Sequence, residues 1–170
     1  AKAFERLVER LGEGGGGEVG AEEDGDNMAD DPDFAKPTGN GSPDNGYANP
    51  ENAYESDGVD ASENTPGATH SYTGFGYSIP SGNEIIGIEV KVDGSYNSSA
   101  GFFTIALSGN NGSSYVTKNT PVVGLTDAIY TLGGPTDLWG TTWTPAQFQD
   151  GQFVLRVSAS ETFMSLDAIQ

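Results

Sequence analysis

The chain has 170 residues, 25 acidic side chains against seven basic ones, a formal charge of −18 and no cysteine. That charge repels phosphate and anionic headgroups, which argues against nucleic-acid partners and against membrane surfaces. No apolar run approaches the roughly 20 residues needed to cross a bilayer, and the missing thiols exclude disulfides and thiolate metal sites.

The opening AKAFERLVERL predicts an amphipathic helix over 1–11, with Phe4, Leu7, Val8 and Leu11 on one face and alternating charges on the other. Gly12 stops it. A helix this short needs a surface to pack on, so the apolar stripe is expected to contact a neighbouring subunit. The chain begins at Ala1 rather than Met, as expected of a processed or fragmentary product.

A linker is expected over 12–46. Its first part, 12–35, holds nine carboxylates, no basic residue and almost nothing apolar. Such composition buries too little surface to fold alone. Residues 37–68 are rich in Asn, Gly, Pro and Asp and are expected to be irregular. The acidic excess does not stop there: 36–170 still carries 14 acidic side chains against Lys36, Lys91, Lys118 and Arg156. Either the surface is adapted to high salt, where screening removes the self-repulsion, or carboxylates are committed to calcium.

From residue 71 onward the pattern is that of strands. IIGIEVKV (85–92) alternates, with Ile86, Ile88, Val90 and Val92 on one face. FFTIALS (102–108) places Phe103, Ile105 and Leu107 together, and SYVTK, AIYTL, FVLRVSA and FMSLDAI supply further short strands. PAQFQ suggests one helical turn. Strands about eight to twelve residues apart with Gly/Asn loops predict a mainly β fold, an antiparallel sandwich or jelly roll over 47–170.

Candidate sites are few. His70, the only histidine, has no nucleophile motif around it, and an exposed or hydrogen-bonded structural role is favoured over a hydrolytic triad. Asp44, Asn45, Asn52, Asp57 and Asp60 offer the oxygen ligands that calcium takes, but without EF-hand spacing. The competing reading is that these side chains cap backbone turns. Asp44, Asn52, Asp57 and Asp60 are therefore the candidate structural-calcium ligands, with no other cofactor expected. Trp139 and Trp143, the only tryptophans, lie in a loop between strands. With Tyr77 they are candidates for stacking on a glycan, although packing across the end of the sandwich, with each indole N–H bonded to a carbonyl, is the favoured reading.

NPENAYESDG at 49–58, FGYSIP at 75–80, IIGIEV at 85–90 and TDLWGTTWT at 136–144 together resemble a β-sandwich module of virion structural proteins from tailed viruses of bacteria and haloarchaea. The resemblance covers about residues 47–170 and implies a last strand running beyond Gln170. It also implies a non-enzymatic capsid decoration, turret, fibre or tail-associated subunit, located in the virion or outside the cell. Its partners would be other virion subunits, with homo-oligomerisation expected. A host cell-surface glycan-binding module is the alternative.

Overall fold

The computed structural model describes residues 34–170, apart from Asn64 and Ser99. The predicted helix over 1–11, with Phe4, Leu7, Val8 and Leu11, and the linker up to residue 33 lie outside the described residues.

Alternating apolar side chains organise the molecule. Phe103, Ile105 and Leu107 point inward from one strand, Leu155, Val157 and Ala159 from its neighbour, and all six are buried. Ten strands result: β1 (Gly39–Asn45), β2 (Tyr47–Ala48), β3 (Ala61–Glu63), β4 (Thr69–Thr73), β5 (Ile88–Tyr96), β6 (Phe103–Ser108), β7 (Val116–Asn119), β8 (Ala128–Gly134), β9 (Val154–Ala159) and β10 (Met164–Ile169). They form two five-stranded antiparallel sheets, ordered β1-β4-β9-β6-β7 and β2-β3-β10-β5-β8. The sheets enclose one core that includes Tyr72, Val92, Phe103, Leu155, Met164 and Leu166. The expected sandwich is therefore present.

Three expectations need correction. Residues 37–68 are not an irregular loop, and the sandwich begins before residue 47. Thr38 N–H donates to Thr73 O, and β1 pairs with β4 from Gly39↔Thr73 to Asn45↔Thr69. β2, β3 and a 3₁₀ turn at Pro50–Tyr54 follow. These strands are polar because β1 and β2 are sheet edges, where alternation of burial is weak. The turn fills the gap between the sheets on this side with Ala53, which is fully buried.

The third correction concerns the strand expected over 85–92. It starts three residues later, at Ile88, and runs on to Tyr96. Residues 85–87 instead cross beneath the β8–β9 loop. A Cβ on Gly87 would come within 2.3 Å of the Pro135 carbonyl carbon, and Ile88 N–H donates to Asp137 O. Ile86 consequently faces solvent, while Ile85 is buried. The helical turn expected in PAQFQ is a 3₁₀ turn at Pro145–Phe148, closed by a capping box between Thr144 and Gln147.

The register gathers the loops at two ends. Loops 64–68, 97–102, 120–127 and 160–163 meet at one end, because Thr69↔Ser158, Phe103↔Ala159, Met164↔Tyr96 and Gly94↔Ala128 are paired there. Loops 74–87, 109–115 and 135–153 meet at the other.

Candidate functional site

The 135–153 end holds both tryptophans. Trp139 sits at φ 57, in the left-handed region, where Asp137 Oδ1 accepts its backbone N–H at 2.8 Å. That turn directs the indole inward, and Nε1–H donates to Ile88 O at 3.0 Å. Gly133, at φ 81, makes room: a Cβ there would stand 2.1 Å from Ile88 O and 2.6 Å from Trp139 Nε1. Lys118 crosses between the sheets, bonding Asp137 Oδ2 at 2.8 Å with its Nζ 5.4 Å from the Trp139 ring centroid. Lys118 and the Trp139 backbone hold the Asp137 carboxyl below the usual carboxylate range.

Trp143 Nε1–H donates to Leu138 O at 3.0 Å, and its ring joins Phe148 and Phe153. Tyr77 packs against Phe75, Phe148 and Phe153, and burial pushes its hydroxyl up to about 12. Trp139 and Trp143 are only 5% and 8% exposed. The two indoles in this state offer no face to a sugar and form an aromatic plug rather than a stacking platform, and Tyr77 is partly buried against the same plug.

A second constellation lies at the β1–β4 edge. Pairing with Val157 and Leu155 turns His70 and Tyr72 toward the core, and pairing with β1 brings Asp44 and Asn40 alongside them. His70, fully buried, places Nδ1 2.9 Å from Asp44 Oδ1 and Nε2 3.0 Å from Asn40 Oδ1. Tyr54 Oη–H donates to the same Asn40 oxygen at 2.8 Å, and Tyr72 Oη–H donates to Pro50 O at 3.2 Å. The ring can donate to both oxygens only as imidazolium. Burial opposes that charge and lowers the His70 pKa, with Asp44 pulling the other way.

A serine adjoins this histidine, but not as a nucleophile. Ser71, the next residue along the strand, points to the opposite face, where its hydroxyl is buried without a partner among the described residues. The arrangement holds a proton inside a sheet edge and presents no attacking group beside it. The histidine is hydrogen-bonded as expected, but it stands on a core strand, not in an exposed loop.

Nearby, Glu63 is fully buried: Oε1 accepts the Thr65 backbone N–H, and Oε2 has no partner among the described residues. Burial raises its pKa, and that N–H works against the rise. Burial also raises the Tyr47 hydroxyl, with Tyr72 and Glu63 adding to it. An open pocket of about 320 Å³ lies beside them, lined by Gly46 and residues 65–69.

The structure does not assemble the four expected calcium ligands. Asp44 faces His70, the Asn52 side-chain amide donates to Asp60 O at 3.0 Å, and Asp57 Oδ1 accepts Val59 N–H at 3.0 Å. Asn52 and Asp57 thus tie down the 52–60 segment, and the Asp60 carbonyl and one Asp57 oxygen are engaged in that role. Among the described residues, no cluster of three or more His, Asp or Glu side chains is placed to hold a metal.

Asn40 and Tyr54 escaped the sequence reading because only strand pairing joins them to a histidine 30 and 16 positions away. Asp93 and Asp167 are two further buried carboxylates that sequence reasoning missed, and Asp167 accepts Gly58 N–H at 2.9 Å, while burial raises its pKa. No such signal is visible in S-L-D-A-I alone.

Comparison of the chain with protein-family models, curated proteins and solved structures returned no match. The class is therefore set by the fold alone: an antiparallel β-sandwich of two five-stranded sheets.

Proposed function

We propose that this chain is a non-enzymatic structural subunit of a virion, a β-sandwich body attached to neighbouring subunits through its N-terminal segment. The carrying observation is a set of exposed apolar side chains at one end of the sandwich, whose loops carry Asp127 and Glu161 as their only charges. There Val122, Leu125 and Phe163 are 58%, 71% and 62% exposed. Tyr96 N–H donates to Gly124 O on one side of β5, and Met164 pairs with Tyr96 on the other. Two strand spacings therefore separate the two loops, about 10 Å. Phe163 also sits at φ 64, a strained setting for a bulky side chain. Exposed apolar groups gathered in this way mark an interaction surface.

The resemblance of 49–58 and 136–144 to virion modules supplies the kind of assembly. The glycan-binding alternative is weakened by the burial of both indoles. Sedimentation of native source material tests the reading: the chain should travel with particles at a fixed ratio to other structural proteins. A recombinant chain lacking residues 1–33 should fold but fail to join them. Recovery only in the free soluble fraction, together with saturable binding on an oligosaccharide array, would reverse the choice.

A further inference from the structure

Three features of the apolar end point to its occupant, and the first is reach. Phe34, the first described residue, places its ring 4.0 Å from Lys91 Nζ on β5. β5 ends at Tyr96, whose N–H donates to Gly124 O in loop 120–127. Five strand residues, about 17 Å, therefore separate Phe34 from that end. Residues 12–33 are a Gly- and acid-rich stretch of 22 residues, and such a chain spans about 25 Å on average. Residues 1–11 can thus reach the end of their own sandwich.

Shape is the second. Between Phe34 and the end lies Ile129, 47% exposed, because Lys91↔Thr131 and Gly94↔Ala128 bracket it on β8. Beyond it come Leu125 and Val122 and, about 10 Å across the end, Phe163. In the helix expected over 1–11, Phe4 to Leu11 rises about 10 Å, with Leu7 and Val8 between them on the same face. The stripe matches the separation it has to cover.

Charge is the third. Lys2, Arg6 and Arg10 outnumber Glu5 and Glu9, so 1–11 is net positive. Residues 12–170 keep only four of the seven basic side chains and 23 of the 25 acidic ones, so the rest of the chain attracts this segment. The loops of the end contribute Asp127 and Glu161. Asp127 Oδ1 is buried without a partner among the described residues, which is costly until a donor covers it, and a guanidinium of the segment is such a donor.

We infer that residues 1–11 dock on the apolar end of their own chain, with the stripe from Phe4 to Leu11 over Leu125, Val122 and Phe163, and cap it until a neighbouring subunit competes for the segment. A linker that matches its span holds the segment at about millimolar effective concentration. At micromolar protein that favours a chain's own segment over a neighbour's. The inference rests on the assembly reading for the competitor alone; the contact belongs to the free chain.

The chain has no cysteine, so an introduced pair reports proximity alone. In the full chain, Leu7→Cys with Leu125→Cys is compared with Leu7→Cys and Thr136→Cys, at micromolar concentration under mild oxidation. Thr136 is exposed and lies about as far from Lys91 in the opposite direction, because Thr131 pairs with Lys91 and β8 ends at Gly134. Both positions are therefore equally open to an undocked tail. The first pair should close within one chain faster by about tenfold or more. Leu11→Asp, or Arg6→Glu together with Arg10→Glu, should erase that advantage. All variants should keep the wild-type circular dichroism spectrum.

Equal closure of the two pairs overturns the inference, even if the chain is later found in particles. Closure between chains in place of closure within one overturns it equally, as does an advantage that survives both Leu11→Asp and the charge reversal. Closure within the chain with no association with particles would instead reject the virion reading and leave the docking standing.

Discussion

Replacing Trp139 by alanine tests whether the tryptophan end is core. The ring is 5% exposed and its N–H satisfies Ile88 O, so truncation removes a large buried side chain and one buried hydrogen bond. Removing a buried tryptophan costs roughly 3–5 kcal/mol, and a carbonyl left unpaired adds about 1 kcal/mol or more. Against a total stability of about 5–15 kcal/mol for a domain, the variant should be close to unfolding at room temperature.

Backbone geometry gives a sharper test. At φ 57 every L-residue pays about 1–2 kcal/mol that glycine does not. Trp139→Gly should therefore be more stable than Trp139→Ala, by about 1 kcal/mol, the reverse of the usual order in helices and strands. Trp139→Phe keeps most of the packing and should lie between wild type and alanine. Urea titration followed by far-ultraviolet circular dichroism measures all three, with Trp143 fluorescence as a second probe of the same end. An alanine variant within about 1 kcal/mol of wild type would refute the packing argument. A glycine variant weaker than alanine would refute the conformational one.

Two further outcomes are expected. His70 has a lowered pKa in the fold, so between that value and about 6.5 the unfolded chain binds more protons and stability falls as pH falls. Glu63 and Asp167, both raised, act in the opposite sense. They are common to wild type and His70→Gln, so the glutamine variant should lose less stability between neutral and mildly acidic pH, and identical slopes would show that His70 does not titrate on unfolding. Melting temperature should rise with potassium chloride as the Debye length falls from about 30 Å at 0.01 M to about 3 Å at 1 M, and chelator should make no difference. A flat salt response with rescue by micromolar calcium would restore the ion-site reading of Asp44, Asn52, Asp57 and Asp60.

The core strands were legible because one face of each is buried against the opposite sheet. Phe103, Ile105 and Leu107 alternate with residues that face the other way, and the same holds for Leu155, Val157 and Ala159. Alternation is a local signal, and a strand inside a sheet obeys it. β1 and β3 were illegible for the converse reason. Gly39–Asn45 contains no large apolar residue, and it is a strand only because β4 offers it hydrogen bonds. Its polar side chains then become the partners of His70, so the one buried histidine is explained by the segment that looked least structured.

The tryptophans show a different limit. Their spacing reads equally well as a binding platform or as a corner of the core, because aromatic rings serve both. What separates the two is the destination of each indole N–H, and for Trp139 that is Ile88 O, 51 positions earlier. The oxygen-rich segment 44–60 is ambiguous in the same way. Asp and Asn are suited both to calcium and to turns, and pairing decides where they go: Asp44 is drawn to His70, Asp57 accepts Val59 N–H, and among the described residues no metal-holding cluster forms. Edge character was likewise invisible in AIYTL, whose residues resemble those of any strand. Only the sheet order places that uncharged sequence at a sheet edge. Residue type therefore set the range of roles at each of these places, and pairing between distant segments selected among them.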